Sequence, residues 1–367
     1  MKSELKHREI SSTLLAEILA GKYGTSGRLQ SEAQLVRRFG VSRPTVARAL
    51  RDLQDQGLVM RRAGSGTFVR SRTPAATPAR QLALLIPGFR STEIFELICG
   101  ELASLARAHD YSLIWGGAGP ADTTSDLSHQ HALELVSQLL ERQVMGVFFA
   151  PFEGQSESSN QVIVQRFREA GIPLVLLDRD LGPFPTRCDH DVVGIDNFTA
   201  GFVLAQHLIE LGCKKVVFMA RPYSAATVDA RIAGVREALV RHDIPLLPDW
   251  LRIGDPEDAK WVRSWSTGKR PDAVVCANDL TAAQLLRTLE KNGVDVPQQL
   301  RVVGFDDAKY ATLVSVPLTT IHQPCKDIAT TAFQALIERI REPTLPPRSM
   351  LLTPRLVVRE SCGAQLE

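Results

Sequence analysis

The chain has 367 residues, room for two or three domains with ample cores, and a formal net charge of only +2. No apolar run is long enough to cross a membrane, and the start, MKSELKHREISS, has no apolar stretch of the kind that directs export, so a cytoplasmic protein is expected. The small net charge conceals a division: residues 1–72 hold 14 Lys and Arg against 6 Asp and Glu, a net of +8, which leaves −6 on the remainder. A basic head on a mildly acidic body fits one nucleic-acid module joined to something that does not bind phosphate.

In chain order, Ile10, Leu14, Leu15 and Ile18 are spaced as one face of an amphipathic helix. Ser31 is a good N-cap, and Gln34 three residues later completes a capping-box pattern for a helix from Glu32 to Phe39 that stops at Gly40. Ser42 caps the next helix, with Pro44 in its first turn, where a missing N–H costs little. Val46, Ala49, Leu50 and Leu53 give that helix an apolar back; Arg48 and Arg51 lie opposite, with Arg43 and Thr45 at the amino end. Gly57 closes it. Leu58–Arg61 and Thr67–Val69 then read as two strands around the turn Ala63-Gly64-Ser65-Gly66.

An Arg-bearing helix presented after a short turn is how a helix-turn-helix enters the DNA major groove, and the basic hairpin would be its wing. The candidate DNA contacts are Ser31, Ser42, Arg43, Pro44, Thr45, Arg48, Arg62, Gly64, Ser65 and Gly66. A plain helical domain with solvated arginines is the competing reading. It would share any one of these features but not the ordered set.

Pro74 and Pro78 among small residues mark 73–80 as a linker between a head at 1–72 and a body at 81–363. The body alternates strand-like runs with helical patterns. The runs are Leu82–Ile86, Ser112–Trp115, Gly146–Ala150, Leu174–Leu177, Val192–Ile195, Val216–Ala220, Ala273–Ala277 and Arg301–Phe305. Such alternation predicts doubly wound parallel sheets, and eight units are too many for one compact sheet, so two α/β lobes are expected. Ligands bind outside the carboxyl ends of such strands. Here those ends carry Asp178-Arg179-Asp180, Arg221, Asn278-Asp279 and Asp306-Asp307. Carboxylates, an amide and guanidiniums facing one cleft suit a polyol or sugar, whose hydroxyls need donors and acceptors together. Asp178, Asn278 and Asp306 are read as ligand groups and Asp279 as the cap of the following helix.

Nothing in the sequence points to catalysis or a cofactor. Gly116-Gly117-Ala118-Gly119 is not a GxGxxG opening a helix, and there is no GxxxxGK[ST], GxSxG or HExxH. The six cysteines show no CxxC spacing and read as reduced packing residues; His129 and His131 have no further ligands nearby, so no metal is expected.

The head resembles the winged helix-turn-helix of GntR-family regulators. The residues that carry this are Leu29-x-Ser31-Glu32-x-x-Leu35, Phe39-Gly40-Val41-Ser42-Arg43-x-Thr45-Val46, Ala49-Leu50-x-x-Leu53, Gly57-Leu58 and Gly64-x-Gly66-Thr67-Phe68-Val69. Gln30 stands where that family usually has Pro, and Ala33 and Ala47 where many members have a DNA-contacting Arg. The body resembles the effector domain of LacI-type regulators, which shares the periplasmic-binding-protein fold. Its matching motifs are Ala170-Gly171-Ile172-Pro173, Leu177-Asp178-Arg179, Val193-Gly194-Ile195-Asp196-Asn197, Ala230-Arg231-x-x-Gly234, Ala277-Asn278-Asp279, Val303-Gly304-Phe305-Asp306-Asp307 and Pro317-Leu318-Thr319-Thr320-Ile321. That resemblance implies effector contacts at Asp178, Arg231, Asn278 and Asp306, with Arg179 beside them, and puts Glu93 and Ile94 where the family usually brings aromatic residues to the cleft, which makes Glu93 the sixth expected effector contact. The pairing of head and body is similar to that of arabinose-repressor-type regulators.

The two resemblances together imply a homodimeric repressor on a palindromic double-stranded DNA operator, controlled by a small polar effector, with a sugar the foremost candidate. The alternatives are a soluble solute-binding protein, or a metabolic enzyme fused to a DNA-binding head, which would need a cofactor-binding lysine in a larger domain.

Overall fold

The computed structural model describes residues 2–19, 22–23, 27–55, 58–62, 66–69, 80–86, 93–117, 125–152, 157–268 and 270–365. Gly57, the wing turn Ala63-Gly64-Ser65 and most of the 73–80 linker lie outside them. The chain divides into two compact units, Met1–Ala79 and Arg80–Glu367.

The first unit contains α1 (Lys2–Leu19), α2 (Glu32–Phe39), α3 (Arg43–Asp55) and a two-stranded antiparallel hairpin, β1 (Val59–Arg62) with β2 (Gly66–Val69). The apolar spacings read from the sequence meet in one core: Ile10 and Leu14 of α1, Leu35 of α2, Val46, Ala49, Leu50 and Leu53 of α3, with Leu29 and Val59. Gly40 adopts φ 61° at the end of α2 and returns its N–H to the Val36 carbonyl, a left-handed stop that glycine makes without steric cost. Arg38 of α2 donates to Glu17 of α1, which also accepts from Lys22 and Tyr23, and these bonds hold the Glu17 carboxyl far below the usual carboxylate range.

The second unit holds two six-stranded sheets. The first lobe is built from β3 (Gln81–Ile86), α4 (Ile94–Ala108), β4 (Ser112–Gly117), α5 (Ser125–Glu141), β5 (Gly146–Phe149), α6 (Glu157–Glu169), β6 (Leu174–Leu177) and β7 (Asp191–Ile195). The second comprises α7 (Asn197–Glu210), β8 (Val216–Ala220), α8 (Thr227–Arg241), β9 (Leu251–Ile253), α9 (Ala259–Ser266), β10 (Ala273–Cys276), α10 (Asp279–Lys291), β11 (Arg301–Asp306) and β12 (Thr319–His322). The chain then returns to the first lobe as α11 (Cys325–Arg341) and β13 (Ser349–Leu352), and ends in the second with β14 (Arg355–Val357).

The strand orders are β13-β7-β6-β5-β3-β4 and β14-β12-β11-β10-β8-β9, all parallel except the β12–β14 pair. The chain therefore passes between the lobes three times: between Ile195 and Asn197, between His322 and Cys325, and between Leu352 and Arg355. All eight expected strands are present within a residue or two at each end. The short strands β9, β12, β13 and β14 were not expected from the sequence.

Two glycines bring α7 and α8 together. A Cβ on Gly201 would collide with the Arg231 carbonyl, and one on Gly234 with the Phe198 carbonyl and, at 2.8 Å, the Phe202 nitrogen. The helices thus touch backbone to backbone, and that contact fixes where Arg231 stands.

Candidate functional sites

In the first unit, the Ser31 hydroxyl accepts the Gln34 N–H at 3.4 Å while Gln34 Oε1 accepts the Ser31 N–H at 2.8 Å. The expected capping box is formed, which occupies Ser31 with the helix start. Ser42 and Thr45 share a 2.8 Å hydroxyl contact in the first turn of α3, where Pro44 also sits. Arg43, the first residue of α3, has its side chain 81% exposed, and Arg48 is exposed one turn on. Gly66 opens β2 with φ 114° and pairs with Arg62 at the end of β1. Gly64 and Ser65 lie outside the described residues, as does the Arg62 side chain. One neighbour escaped the sequence reading: Glu32 bonds both Arg43, Nε to Oε2 at 3.3 Å, and Arg61 on β1.

In the second unit, a cavity of about 220 Å³ lies at the carboxyl ends of both sheets. Five of the six expected ligand residues line it: Asp178, Arg179, Arg231, Asn278 and Asp306. Asp178 follows β6 with φ 68°, and its carboxylate takes Arg179 Nε at 3.1 Å. Asp306 ends β11 with φ 115°. These positive φ values turn side chains toward the cleft at a backbone cost of order 1–3 kcal/mol each. Arg231 reaches in from α8, 4% exposed, and is held on several sides. Its Nε donates to Asn197 Oδ1 at 2.8 Å, Nη1 to the Ala277 carbonyl at 2.6 Å, Nη2 lies 3.7 Å from Asp306, and the guanidinium stacks over Phe305.

Asn278 both lines the cavity and caps α10, its Oδ1 accepting the Thr281 N–H at 2.8 Å. The expected capping role of Asp279 is thereby corrected. Asn278 has the extended backbone a cap requires, and Asp279, fully buried behind it, accepts from Thr320 Oγ1 at 2.6 Å and the Ala308 N–H at 3.0 Å. Burial, with Asp306 nearby, pushes the Asp279 carboxyl well above the usual range. Glu93 stands off the cavity wall; its carboxylate accepts the Lys309 N–H at 2.8 Å and so ties the start of α4 to the second lobe.

Sequence reasoning missed Gln323. It is 1% exposed, donates Nε2 to Asp306 Oδ1 at 2.7 Å and lines the cavity, where its Oε1 is buried with no partner. Only its place, one residue past a strand end, could have flagged it. Tyr223 was also missed. It stands at the cavity rim, 85% exposed with φ 60°, and is the one aromatic among the described lining residues.

A larger groove of about 740 Å³ runs between α6 and residues 181–190, over Val162, Val164 and Leu181. Its arginines are engaged locally: Arg166 with Ser137, Arg168 with His190, Arg187 with Asp180. It lacks the convergent buried polar groups of the cleft, which is the better candidate despite its smaller size. Among the described residues no cluster of His, Cys, Asp and Glu could hold a metal, and no helix is long and apolar enough to cross a membrane.

Residues 6–69 match the bacterial regulatory proteins of the gntR family, and residues 205–362 match the periplasmic binding protein-like domain. The arabinose metabolism transcriptional repressor of Geobacillus stearothermophilus is 26% identical over 97% of each chain. The HTH-type transcriptional repressor PurR of Vibrio parahaemolyticus is 30% identical over 79% of this chain and 84% of its own. Among solved structures, the complex of the transcriptional regulator CelR with cellobiose superposes with a TM-score of 0.64 at 25% identity, covering 88% of this chain and 91% of that one. The protein is a DNA-binding transcription regulator and not an enzyme. It belongs to the family of HTH-type transcriptional repressors, with a head that matches the gntR regulatory proteins and a body that matches the periplasmic binding protein-like domain.

Proposed function

We propose that the protein represses transcription from a palindromic operator as a homodimer in the cytoplasm, and that a small sugar bound in the interlobe cleft controls it. The observation that carries the effector reading is the buried, unpartnered Gln323 Oε1 beside Asp306, Asp178 and Arg231. A buried acceptor left unmade costs about 1–3 kcal/mol, and a ligand hydroxyl would satisfy it. Asp178, Asp306 and Gln323 offer acceptors, Arg179, Arg231 and Asn278 offer donors, and the exposed ring of Tyr223 offers an apolar face at the rim. Two named relatives fit this reading, one a repressor of arabinose metabolism and one a regulator solved with cellobiose.

A ligand that touches both lobes favours their closed arrangement, and in a dimer a change of lobe angle alters the spacing of the two heads. Arg43, Thr45 and Arg48 face the major groove in this reading, with Arg62, Gly64, Ser65 and Gly66 at the wing. Ser31, Ser42 and Pro44 set the helix starts. The full chain should be screened for thermal stabilisation by pentoses, hexoses, disaccharides and sugar acids. Saturation at about 100 times Kd adds about 2.7 kcal/mol of stability. The shift should fall to about half or less in Arg231→Ala and Asp306→Asn at the same ligand concentration; if it keeps its full size in both, the cleft is the wrong site. Sedimentation of the full chain, and of a chain starting near Gln81, should give dimers at micromolar concentration. A monomeric body would contradict the dimer assignment.

A further inference from the structure

Glu93 stands at the cap position of α4, yet its side chain makes no capping bond. Its backbone is already helical, at φ −62° and ψ −21°, whereas a capping residue is extended. The carboxylate instead crosses to the second lobe and accepts the Lys309 N–H at 2.8 Å. Lys309 is the first residue of a short 3-10 helix, Lys309–Thr312, so its amide has no acceptor within that helix.

The residues that lead from the cleft to this bond are fastened one after another. Asp306 accepts from Gln323 Nε2 at 2.7 Å and faces Arg231. Asp307 is held by Arg359 and His322, and the Ala308 N–H goes to Asp279. Lys309 is then tied to Glu93, in the first lobe. Both ends of the tie adjoin the effector cavity: Ile94, next to Glu93, lines it, and so does Asp306, three residues before Lys309. Burial, with the carboxylates of Asp279, Asp306 and Glu93, pushes the Tyr310 phenol far above its usual range, so the first-lobe acid shares its surroundings with the cleft acids.

We propose that Glu93 is an interlobe latch. Its bond to the Lys309 amide holds the lobes at the closure that brings Ile94 and Asp306 to one ligand, and so sets how much effector the protein needs. The inference rests on the reading of the cleft as the effector site, and assigns to that site the residue that regulates its closure. A hydrogen bond near the surface is replaced by water when the lobes part, so the latch shifts the balance by a limited factor. Apparent affinity scales with the population of the binding-competent form, so losing the latch should weaken effector binding about three- to tenfold.

Two substitutions in the full chain remove the two halves of the bond. Glu93→Ala removes the acceptor. Lys309→Pro removes the donor at a place that accepts proline: it is first in its helix, and Ala308 before it is extended at φ −64° and ψ 150°. Glu93→Gln keeps an acceptor at the same reach. Hydrogen–deuterium exchange reads closure without any ligand. In Glu93→Ala and in Lys309→Pro, the cavity-lining segments around Asp178 and Ala225, one in each lobe, should exchange about three- to tenfold faster. The double variant should go no further than either single one, and Glu93→Gln should stay close to wild type. Titration with L-arabinose and with cellobiose, followed by melting temperature, should show affinity reduced by the same factor in the same variants.

Faster exchange confined to residues 93–96 and 309–312 would make the bond a local anchor and overturn the proposal. Unchanged exchange at the cleft, or effects that add in the double variant, would overturn it as well. If neither sugar stabilises the wild type, it is the sugar reading of the cleft that loses support, and the exchange pattern still decides the latch.

Discussion

Arginine does opposite work in the two units. In the head, Arg43 is 81% exposed and pairs with Glu32, which it shares with Arg61. In the body, Arg231 is 4% exposed and fixed by Asn197, the Ala277 carbonyl, Asp306 and the Phe305 ring. Under the proposed function, an arginine that meets a large, highly charged and variable partner is kept in water, where moving it is cheap. One proposed to meet a small ligand is locked before the ligand arrives, because a buried guanidinium without partners costs several kcal/mol. Loss of the first should therefore show in binding, and loss of the second in folding as well.

The largest effect expected from breaking this arrangement comes from a residue that touches no ligand. Gly234→Ala drives a methyl group into the backbone of α7 and should cost about 3 kcal/mol or more in a denaturant titration of the body. A variant as stable as wild type would mean that α7 and α8 can part without penalty. Arg231→Ala comes next. It leaves Asp306 without its cation, so stability should drop by about 3 kcal/mol, and effector affinity should fall by about a factor of 10 to 150. Operator affinity without effector should stay within twofold. Arg43→Ala should reverse the pattern: about 1–3 kcal/mol lost on the operator, and no change in melting temperature. If Arg43→Ala unfolds the head, the contrast drawn above is mistaken.

The smallest effect lies at the second passage between lobes. Burial alone would raise the Asp307 carboxyl, but bonds from Arg359, at 2.5 Å, and His322, at 2.8 Å, outweigh it and lower its pKa. A depressed folded value means stability present above the usual carboxylate range and lost as pH falls through the folded pKa. Asp307→Asn should be less stable than wild type near neutral pH, by under about 1 kcal/mol, and should converge on it in acid. Equal gaps at both pH values would show that charge is not involved.

The parts legible in sequence were those where burial and periodicity coincide. The parallel strands β5, β6, β8 and β10 are buried at every position and read as plain apolar runs. The strands that join the lobes do not. Thr319 and Thr320 of β12 are fully buried, yet polar, because their hydroxyls bond Arg359 and Asp279. β13 alternates half-buried with exposed residues and is only four residues long. The threefold passage between lobes was therefore hidden, although two lobes were expected. At the cleft, charged strand ends betrayed Asp178 and Asp306, whereas Gln323 looked like an ordinary residue before a proline. That Asn278 rather than Asp279 caps α10 depended on a backbone angle that adjacent letters do not reveal.

The triple lacing of the body bears on how such a chain could be assembled from parts. The head is one contiguous stretch, Met1–Ala79, so a single crossover between genes can replace it while leaving the body's strand order intact. The lobes have no such seam. Cutting after β12 strips α11 from the first lobe, β13 from its sheet and β14 from the second sheet, so both lobes would lose an edge strand that only the detached C-terminal segment can supply. Recombination can thus give a ligand-binding body a new DNA address in one step, whereas exchanging half of its binding site would require several coordinated joins.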